Sequence, residues 1–176
     1  MRRRPFLLGL LALLSSTLVA GAALPAGAGD KPPPVPPEIQ APAGQKVVLD
    51  VVGKGVQIYD CDATTRAWTF REPAAVLHGH RKRPVGIHFV GPTFESFDGS
   101  AVVGARPEAV QPDPTAIPWL LLEADANRGD GVLSRVDYIQ RLETRGGLAP
   151  KGACDPARDA TVAVPYRARY VFYAAG

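Results

Sequence analysis

The residues of this sequence that could do chemistry are concentrated between Gly86 and Gly104, in the stretch GIHFVGPTFESFDGSAVVG. His88, Asp98 and Ser100 are the residue types of a hydrolytic triad, in which an acid orients a histidine that takes the serine proton. However, the chain has no GxSxG element to present a serine, and Asp-Gly-Ser is typical of a turn whose aspartate bonds to its own backbone. The turn is the better interpretation. A small hydrolase or metal-dependent enzyme using His88 and Asp98 remains the alternative function.

A metal site would require several histidine, cysteine or carboxylate ligands in one place. His78, His80, His88 and Glu95 supply suitable side chains. Three basic residues at 81–83 directly follow the first two histidines, and their charge would repel a metal cation. We interpret the set as two loop histidines and one structural histidine. The sequence therefore predicts no catalytic residue, no metal site and no cofactor.

A pocket for a small organic ligand is the remaining interpretation of the polar residues. Strand alternation separates Gln140 from Arg141, and His88 from the apolar residues beside it. If His88 and Gln140 face the interior they must be hydrogen-bonded, because an unpaired buried polar group costs roughly 1–3 kcal/mol. With Trp119 and Tyr59 they would line a pocket of aromatic walls and a few fixed polar groups. The open alternative is a satisfied core network without a ligand.

Short strands are the elements that must position these residues. Lys46–Val52 and Val56–Cys61 are β-branched runs whose glycine-containing connection predicts a hairpin. The continuous apolar run Ile117–Glu123 predicts a strand buried on both faces. The even positions of Val162–Phe172 are apolar or aromatic, which is typical of a strand with one face inward. The proline-containing segments 71–84 and 105–114 are predicted to be loops.

The pattern as a whole predicts an all-β, single-domain antiparallel fold, either a β-sandwich or a barrel-like fold, with long Gly/Pro-rich loops. No amphipathic helix of ordinary length and no internal repeat interrupts the strands. The domain is expected to occupy residues 45–176. Residues 29–44 form a proline-rich lead-in, which favours an extended polyproline conformation over a helix or a central strand.

The first 28 residues have the layout of a secretory signal peptide, with arginines at 2–4, a short apolar core and small residues before cleavage after 22 or 28. The apolar run is shorter than the roughly 20 residues of a spanning helix, so no transmembrane segment is expected after cleavage. The arginines also suit a twin-arginine signal, which leaves the general and twin-arginine export routes both open. We expect a periplasmic or secreted protein.

The charge balance gives no indication of a nucleic-acid partner. The chain has 20 basic and 17 acidic residues, and removing the three arginines at positions 2–4 leaves 17 of each. A domain without net positive charge lacks the electrostatic footprint of a nucleic-acid binder. The even number of cysteines, Cys61 and Cys154, indicates a disulfide in an exported chain. A nucleophilic thiol, the alternative, would need a nearby base and a reducing compartment.

Several motifs together resemble one family over about residues 41–173: GVQIYDC, Trp68, GIHFVGPTFE with DGS, IPWLLL, YIQR with TRGG, Cys154 and VPYRARYVFY. They resemble the DUF3455 family, a domain of unknown function found in exported bacterial and fungal proteins. The resemblance implies that Cys61 pairs with Cys154, and it implies no activity. We therefore expect an exported, non-catalytic binding or structural module of the cell envelope or secreted fraction. Its partner would be a small organic ligand or an envelope component.

Overall fold

The computed structural model describes residues 34–176, whose strands form one closed antiparallel barrel. Each strand pairs with the next along the chain, and the last pairs with the first to complete the ring. The strands are β1 (Gln45–Cys61), β2 (Trp68–His78), β3 (Pro84–Phe89), β4 (Thr93–Ser96), β5 (Ala101–Val110), β6 (Trp119–Arg128), β7 (Tyr138–Gly146) and β8 (Thr161–Ala175). Single turns of 3-10 helix span Pro37–Ile39 and His80–Lys82. The predicted all-β antiparallel fold is confirmed, in its barrel form.

The first strand, β1, runs without a break through Gly53 and Gly55, so the hairpin predicted there is wrong. Both glycines are required by close neighbours rather than by a turn. A Cβ at Gly53 would lie 2.5 Å from Cε2 of Tyr170, and one at Gly55 would overlap the backbone of Ala74 on β2. Their missing side chains let the longest strand pack closely against both its neighbouring strand and the barrel core.

The two proline-containing segments predicted to be loops are largely strand. Strand β2 continues to His78, and β5 continues through Pro107 to Val110. The pairing of β5 with β6 shifts register between Ala105 and Glu108, which places Pro107 in a bulge. A bulge tolerates proline because the extra residue has no ladder hydrogen bond to lose. Prolines therefore do not end these strands.

The interior of the barrel is filled by alternate residues of its strands, those that face inward. On β8 these are Tyr166, Ala168, Tyr170 and Phe172, all at most 5 % exposed, and they pack in the interior core. The residues between them, such as Arg167, are on the outer face. The alternation predicted for this strand is confirmed. Aromatic rings from β8 consequently form one wall of the space inside the barrel.

A second apolar cluster lies on the outside of the barrel, beneath the described part of the proline-rich lead-in. Ile39 is fully buried there against Leu121, Leu142, Val171 and Tyr173. This cover explains why the apolar run at the start of β6 is buried on both faces. Burial of an isoleucine side chain contributes roughly 1.5–3 kcal/mol. The predicted signal peptide and residues 29–33 lie outside the described part of the chain.

The disulfide between Cys61 and Cys154 is present, with a Cα–Cα distance of 5.8 Å. It joins the last residue of β1 to the connection that leads into β8. The amide of Cys61 also donates to the carbonyl of Ala160, at 2.9 Å. In the chain-entropy picture, a bridge closing so long a loop stabilises the fold by up to about 4–5 kcal/mol. Within residues 34–176, no helix is long and apolar enough to cross a membrane.

Candidate functional site

One end of the barrel interior contains a cavity of about 440 Å³. The cavity is lined by Gln57 and Tyr59, near the end of β1, and by Gly91 and Pro92 in the turn between β3 and β4. It therefore lies at the end of the barrel where β1 ends. The volume lies within the range of about 300–1,000 Å³ found for ligand pockets. The apolar part of its wall consists mainly of Phe70, Phe94, Ile117, Leu120, Leu122 and Tyr170.

His88 is held rigidly in the wall of this cavity. Its ring stacks on Phe94 with centroids 3.9 Å apart and planes 3° from parallel, and the edge of Tyr170 approaches it at 5.2 Å. Nδ1 lies 2.9 Å from the carbonyl oxygen of Thr93. A carbonyl only accepts, so Nδ1 carries the proton and Nε2 is an acceptor.

The pKa of His88 is far below its ordinary value. Burial is the main cause that lowers the pKa to about 3; the hydrogen bond to Thr93 opposes the shift, and the positive charge of Arg141 adds a smaller lowering. The ring is therefore neutral at pH 7. A base with such a pKa is poorly matched to proton transfer near neutral pH. His88 can form the wall of a binding site and accept a hydrogen bond there.

Arg141 provides the positive charge of the cavity. It lies on β7, where its neighbour Ile139 is fully buried in the interior core. Nε donates to the carbonyl oxygen of Pro118 at 3.0 Å. Among residues 34–176, no carboxylate forms an ion pair with this guanidinium. Sequence reasoning missed Arg141, although the alternation with Ile139 was the signal that could have found it.

The electrostatic surroundings of Arg141 are made of tyrosines. Burial lowers the pKa of its guanidinium, and the nearby hydroxyls of Tyr170, Tyr166 and Tyr59 partly offset that effect. Burial in turn raises the pKa of each of these three tyrosines. An arginine remains protonated under such conditions. The cavity therefore contains a permanent positive charge opposite neutral hydroxyl groups.

The remaining polar groups of this end differ in whether they are paired. The Tyr59 hydroxyl donates to the carbonyl of Gly147 at 2.6 Å, and the hydroxyls of Tyr166 and Tyr170 are 3.0 Å apart. Gln57 is 2 % exposed, and its Nε2 has no hydrogen-bond partner. Its amide lies close enough to the Tyr166 hydroxyl to oppose part of the rise in the pKa of Tyr166, but the two groups are not aligned as a hydrogen bond. The cavity wall thus holds an unpaired amide donor.

The four residues predicted to bind a ligand are placed in two different regions. Tyr59 and His88 come together in the cavity. Trp119 packs instead against the outer apolar cluster, and Gln140 is also on the outer face of the barrel. The alternation along β7 is as expected, but the inner face is the one that carries Arg141.

Gln140 belongs to a satisfied network beneath the lead-in. Its Nε2 donates to the carbonyl of Ile39 at 2.6 Å, and its Oε1 accepts from the hydroxyl of Tyr173 at 2.6 Å. Gln140 is 1 % exposed. Both ends of the amide are therefore paired within the protein, and the side chain fastens the lead-in to the barrel wall.

Asp98 and Ser100 are engaged in the turn between β4 and β5. Asp98 accepts hydrogen bonds from the backbone and hydroxyl of Ser100 and from the backbone of Val132, and these bonds lower its pKa to about 2. The hydroxyl of Ser100 accepts from the amide of Leu133. His88 is on β3 opposite Phe94 near the start of β4, whereas Asp98 follows the far end of that strand. No hydrogen bond joins His88 to either residue.

The histidines and carboxylates are dispersed in the described part of the chain. No three His, Cys, Asp or Glu side chains of residues 34–176 come together where they could hold a metal ion. His78 is on β2, where its Nδ1 lies 3.3 Å from the carbonyl of Val52. His80 is exposed in the 3-10 turn that follows.

The comparisons with known proteins identify a family and leave its activity open. The model of a family described as "Protein of unknown function (DUF3455)" matches residues 42–174. No curated protein and no solved structure matches the chain. The matched range includes all eight strands except the last residue of β8, so the cavity lies within it.

Proposed function

We propose that this chain, a member of the DUF3455 family, is an exported, non-catalytic module that binds a small organic ligand inside the barrel. The description of the family assigns no activity, so the proposal is argued from the geometry of the cavity. The observation that carries the proposal is the apolar cavity of about 440 Å³ with fixed polar groups in its wall. Such a combination of apolar walls and a few placed polar groups is characteristic of small-molecule sites.

The construction of the barrel favours binding at this end. The interior of an eight-stranded barrel is just wide enough to be filled by side chains or to hold one small ligand. Elsewhere in the barrel, large residues such as Phe172 and Leu77 fill the core. At the cavity, Ala105 and Gly91 contribute little volume. An unfilled apolar space forfeits dispersion contacts that an apolar ligand would restore.

The polar groups are arranged for recognition rather than for turnover. The neutral His88 ring is fixed by a hydrogen bond and by stacking, so little side-chain freedom is lost when a ligand packs against it. Its pKa of about 3 makes it a weak base at neutral pH. Asp98 and Ser100, which a hydrolytic triad would need beside His88, are hydrogen-bonded within their own turn.

An exported location is the second part of the proposal. The disulfide between Cys61 and Cys154 supports it, because disulfides persist in oxidising compartments. The signal-peptide pattern of residues 1–28 supports it independently. Fractionation of cells expressing the full chain provides the check. Recovery in the periplasm or medium is expected, and retention of the uncleaved chain in the cytoplasm would contradict it.

The cavity is tested with a neutral fluorescent probe, N-phenyl-1-naphthylamine, and a matched pair of tryptophan substitutions. Ala105→Trp fills the cavity that Ala105 lines, whereas Ala109→Trp adds the same side chain at an exposed position of β5. We expect saturable probe binding by the unaltered protein and by Ala109→Trp, and loss of binding in Ala105→Trp. Circular dichroism establishes that each variant is folded, and Ala105→Phe serves as a milder filling variant.

Two results would overturn the binding proposal. One is equal probe affinity in the unaltered protein and in folded Ala105→Trp or Ala105→Phe, which would place the probe elsewhere. The other is absence of saturable binding to the unaltered protein by the probe and by two smaller neutral molecules, indole and decanol. In that case the cavity would be a packing feature of a structural module.

A further inference from the structure

We propose that the ligand is a monoanionic organic acid, whose carboxylate pairs with Arg141 and whose apolar body lies against the apolar lining that includes Phe70 and Leu120. The inference rests on the proposed function and narrows it to one chemical class. It is carried by an imbalance among the cavity residues: a cation and an amide donor are unpaired, and the lining contains no carboxylate.

The unpaired state of Arg141 is unusual when compared with the second arginine of the cavity. Arg71 also lines it, but Arg71 forms ion pairs with Asp60 at 2.9 Å and Glu72 at 3.1 Å. Arg141 has no carboxylate partner among the described residues, and its surroundings are the carbonyl of Pro118 and tyrosine hydroxyls. Arg141 is half-buried, so water solvates its charge only in part, and a ligand anion would supply the missing counterion.

The way in which Arg141 is anchored leaves its recognition edge available. The bond to Pro118 uses Nε, and neither terminal nitrogen forms an aligned hydrogen bond within residues 34–176, although the Tyr170 hydroxyl lies close enough to raise the pKa of the guanidinium. Two parallel terminal N–H groups match the two oxygens of a carboxylate. The Nε2 of Gln57 is a further donor in the same lining. Gln57 and Arg141 are therefore both donors suited to a ligand acceptor, and the charge of Arg141 favours an acceptor that is an anion.

The charge count distinguishes a carboxylate from a phosphate. Arg141 contributes one positive charge, and the charge of Arg71 is already balanced by two carboxylates. A phosphate dianion would leave one negative charge unpaired inside the barrel, which is costly. A monoanion leaves none.

The rest of the lining indicates an apolar body attached to the acid. The rings of His88 and Phe94 stack on each other and the edge of Tyr170 meets both, so these nearly buried side chains form a rigid neutral backing, while the half-exposed Phe70 adds open aromatic surface. Leu120 and Leu122 add aliphatic surface. A free inorganic or very small anion would leave this surface without contacts. An aromatic acid and a medium-chain fatty acid are the two sources of such a molecule.

Isothermal titration calorimetry with matched probes tests the class. The pairs are trans-cinnamate with cinnamamide and decanoate with decanol, and phenyl phosphate provides the dianion. We expect at least one acid to bind about 10- to 100-fold more tightly than its neutral partner, because hydrogen bonds to a charged group are the strong ones. Preference for cinnamate identifies an aromatic acid, and preference for decanoate identifies a fatty acid. Phenyl phosphate is expected to bind more weakly than the preferred acid.

Substitutions on β7 attribute the preference to Arg141. Arg141→Met should reduce the acid-to-neutral preference to about 1, and Arg141→Lys should retain part of it. Arg145→Met removes an exposed arginine on the same strand that does not line the cavity, so it should preserve the preference. Circular dichroism of ligand-free Arg141→Met and Arg145→Met establishes that both variants are folded.

Several outcomes would overturn the inference while leaving the binding proposal in place. These are equal affinity for acids and their neutral partners, tighter binding of phenyl phosphate, or an acid preference that survives in Arg141→Met. If N-phenyl-1-naphthylamine binds and neither acid does, the acid inference is likewise overturned while the binding proposal stands. If the neutral probe does not bind either, the proposed function itself falls.

Discussion

Burial of His88 should make the folded protein sensitive to mild acid. Its side chain is 4 % exposed, and burial lowers its pKa to about 3, against about 6.5 in an unfolded chain. Protonation would place a second positive charge near Arg141, in a buried position against the rings of Tyr170 and Phe94. The unfolded chain therefore takes up this proton at a higher pH than the folded protein does.

The sign and size of the effect follow from linkage. Because the folded pKa is depressed, the stabilisation is fully present above pH 6.5 and is lost as the pH falls toward about 3. Each pH unit within that window changes the free energy of unfolding by about 1.4 kcal/mol. Between pH 7.5 and pH 5.0, His88 alone should remove about 2 kcal/mol. This is a large share of the roughly 5–15 kcal/mol by which a domain is stable.

Urea unfolding at pH 7.5, 6.0 and 5.0 measures this slope. His88→Phe keeps a ring against Phe94 and cannot titrate, so its stability should change less between pH 7.5 and pH 5.0 than that of the unaltered protein. His80→Gln removes an exposed histidine and is the control. Asp98 does not interfere. Its pKa is lowered to about 2, so its stabilising contribution is present throughout this range and is lost only at lower pH. An identical slope in His88→Phe and the unaltered protein would refute the reasoning.

Two further predictions concern the connections that hold the barrel together. Replacing Cys61 and Cys154 together by serine should lower the free energy of unfolding by about 2–5 kcal/mol, and intact mass with and without reductant detects the bridge; two free thiols in the exported protein would contradict it. Ile39→Ala should lower the free energy of unfolding in urea by about 2–5 kcal/mol because Ile39 is fully buried. Glu38→Ala, at an exposed neighbour, is the control, and an equal loss in both would mean that the lead-in does not stabilise the barrel.

The all-β character and the inner face of β8 could be predicted from sequence because alternation is a local property of a strand. Residues 162–172 carry that signal without interruption. The glycines at 53 and 55 were misinterpreted for the opposite reason. Their cause is a neighbouring strand and a tyrosine ring at position 170, and neither is visible in the local sequence.

The candidate site could be predicted only in part because alternation separates two faces without saying which is inside. On β7 the face with Gln140 has apolar neighbours, since the segment around Ile39 covers it from outside. Arg141 is on the inner face, where a charged residue is uncommon. Tyr59 and His88, each a polar residue within an apolar strand, were predicted to line a pocket, and both line the cavity.

The pairing of β1 with β8 sets the order in which the barrel can assemble. β1 keeps one unpaired edge until the last strand arrives, and contacts such as Asp60 with Thr161 span 101 positions. Pairings of such high contact order fold slowly, and an open edge can template aggregation. The Cys61–Cys154 bond lies beside this seam, so oxidation before closure leaves only a short connection to be ordered before Thr161 meets β1. The oxidised chain should therefore close its ring faster than the reduced chain, with less time spent in an aggregation-prone state.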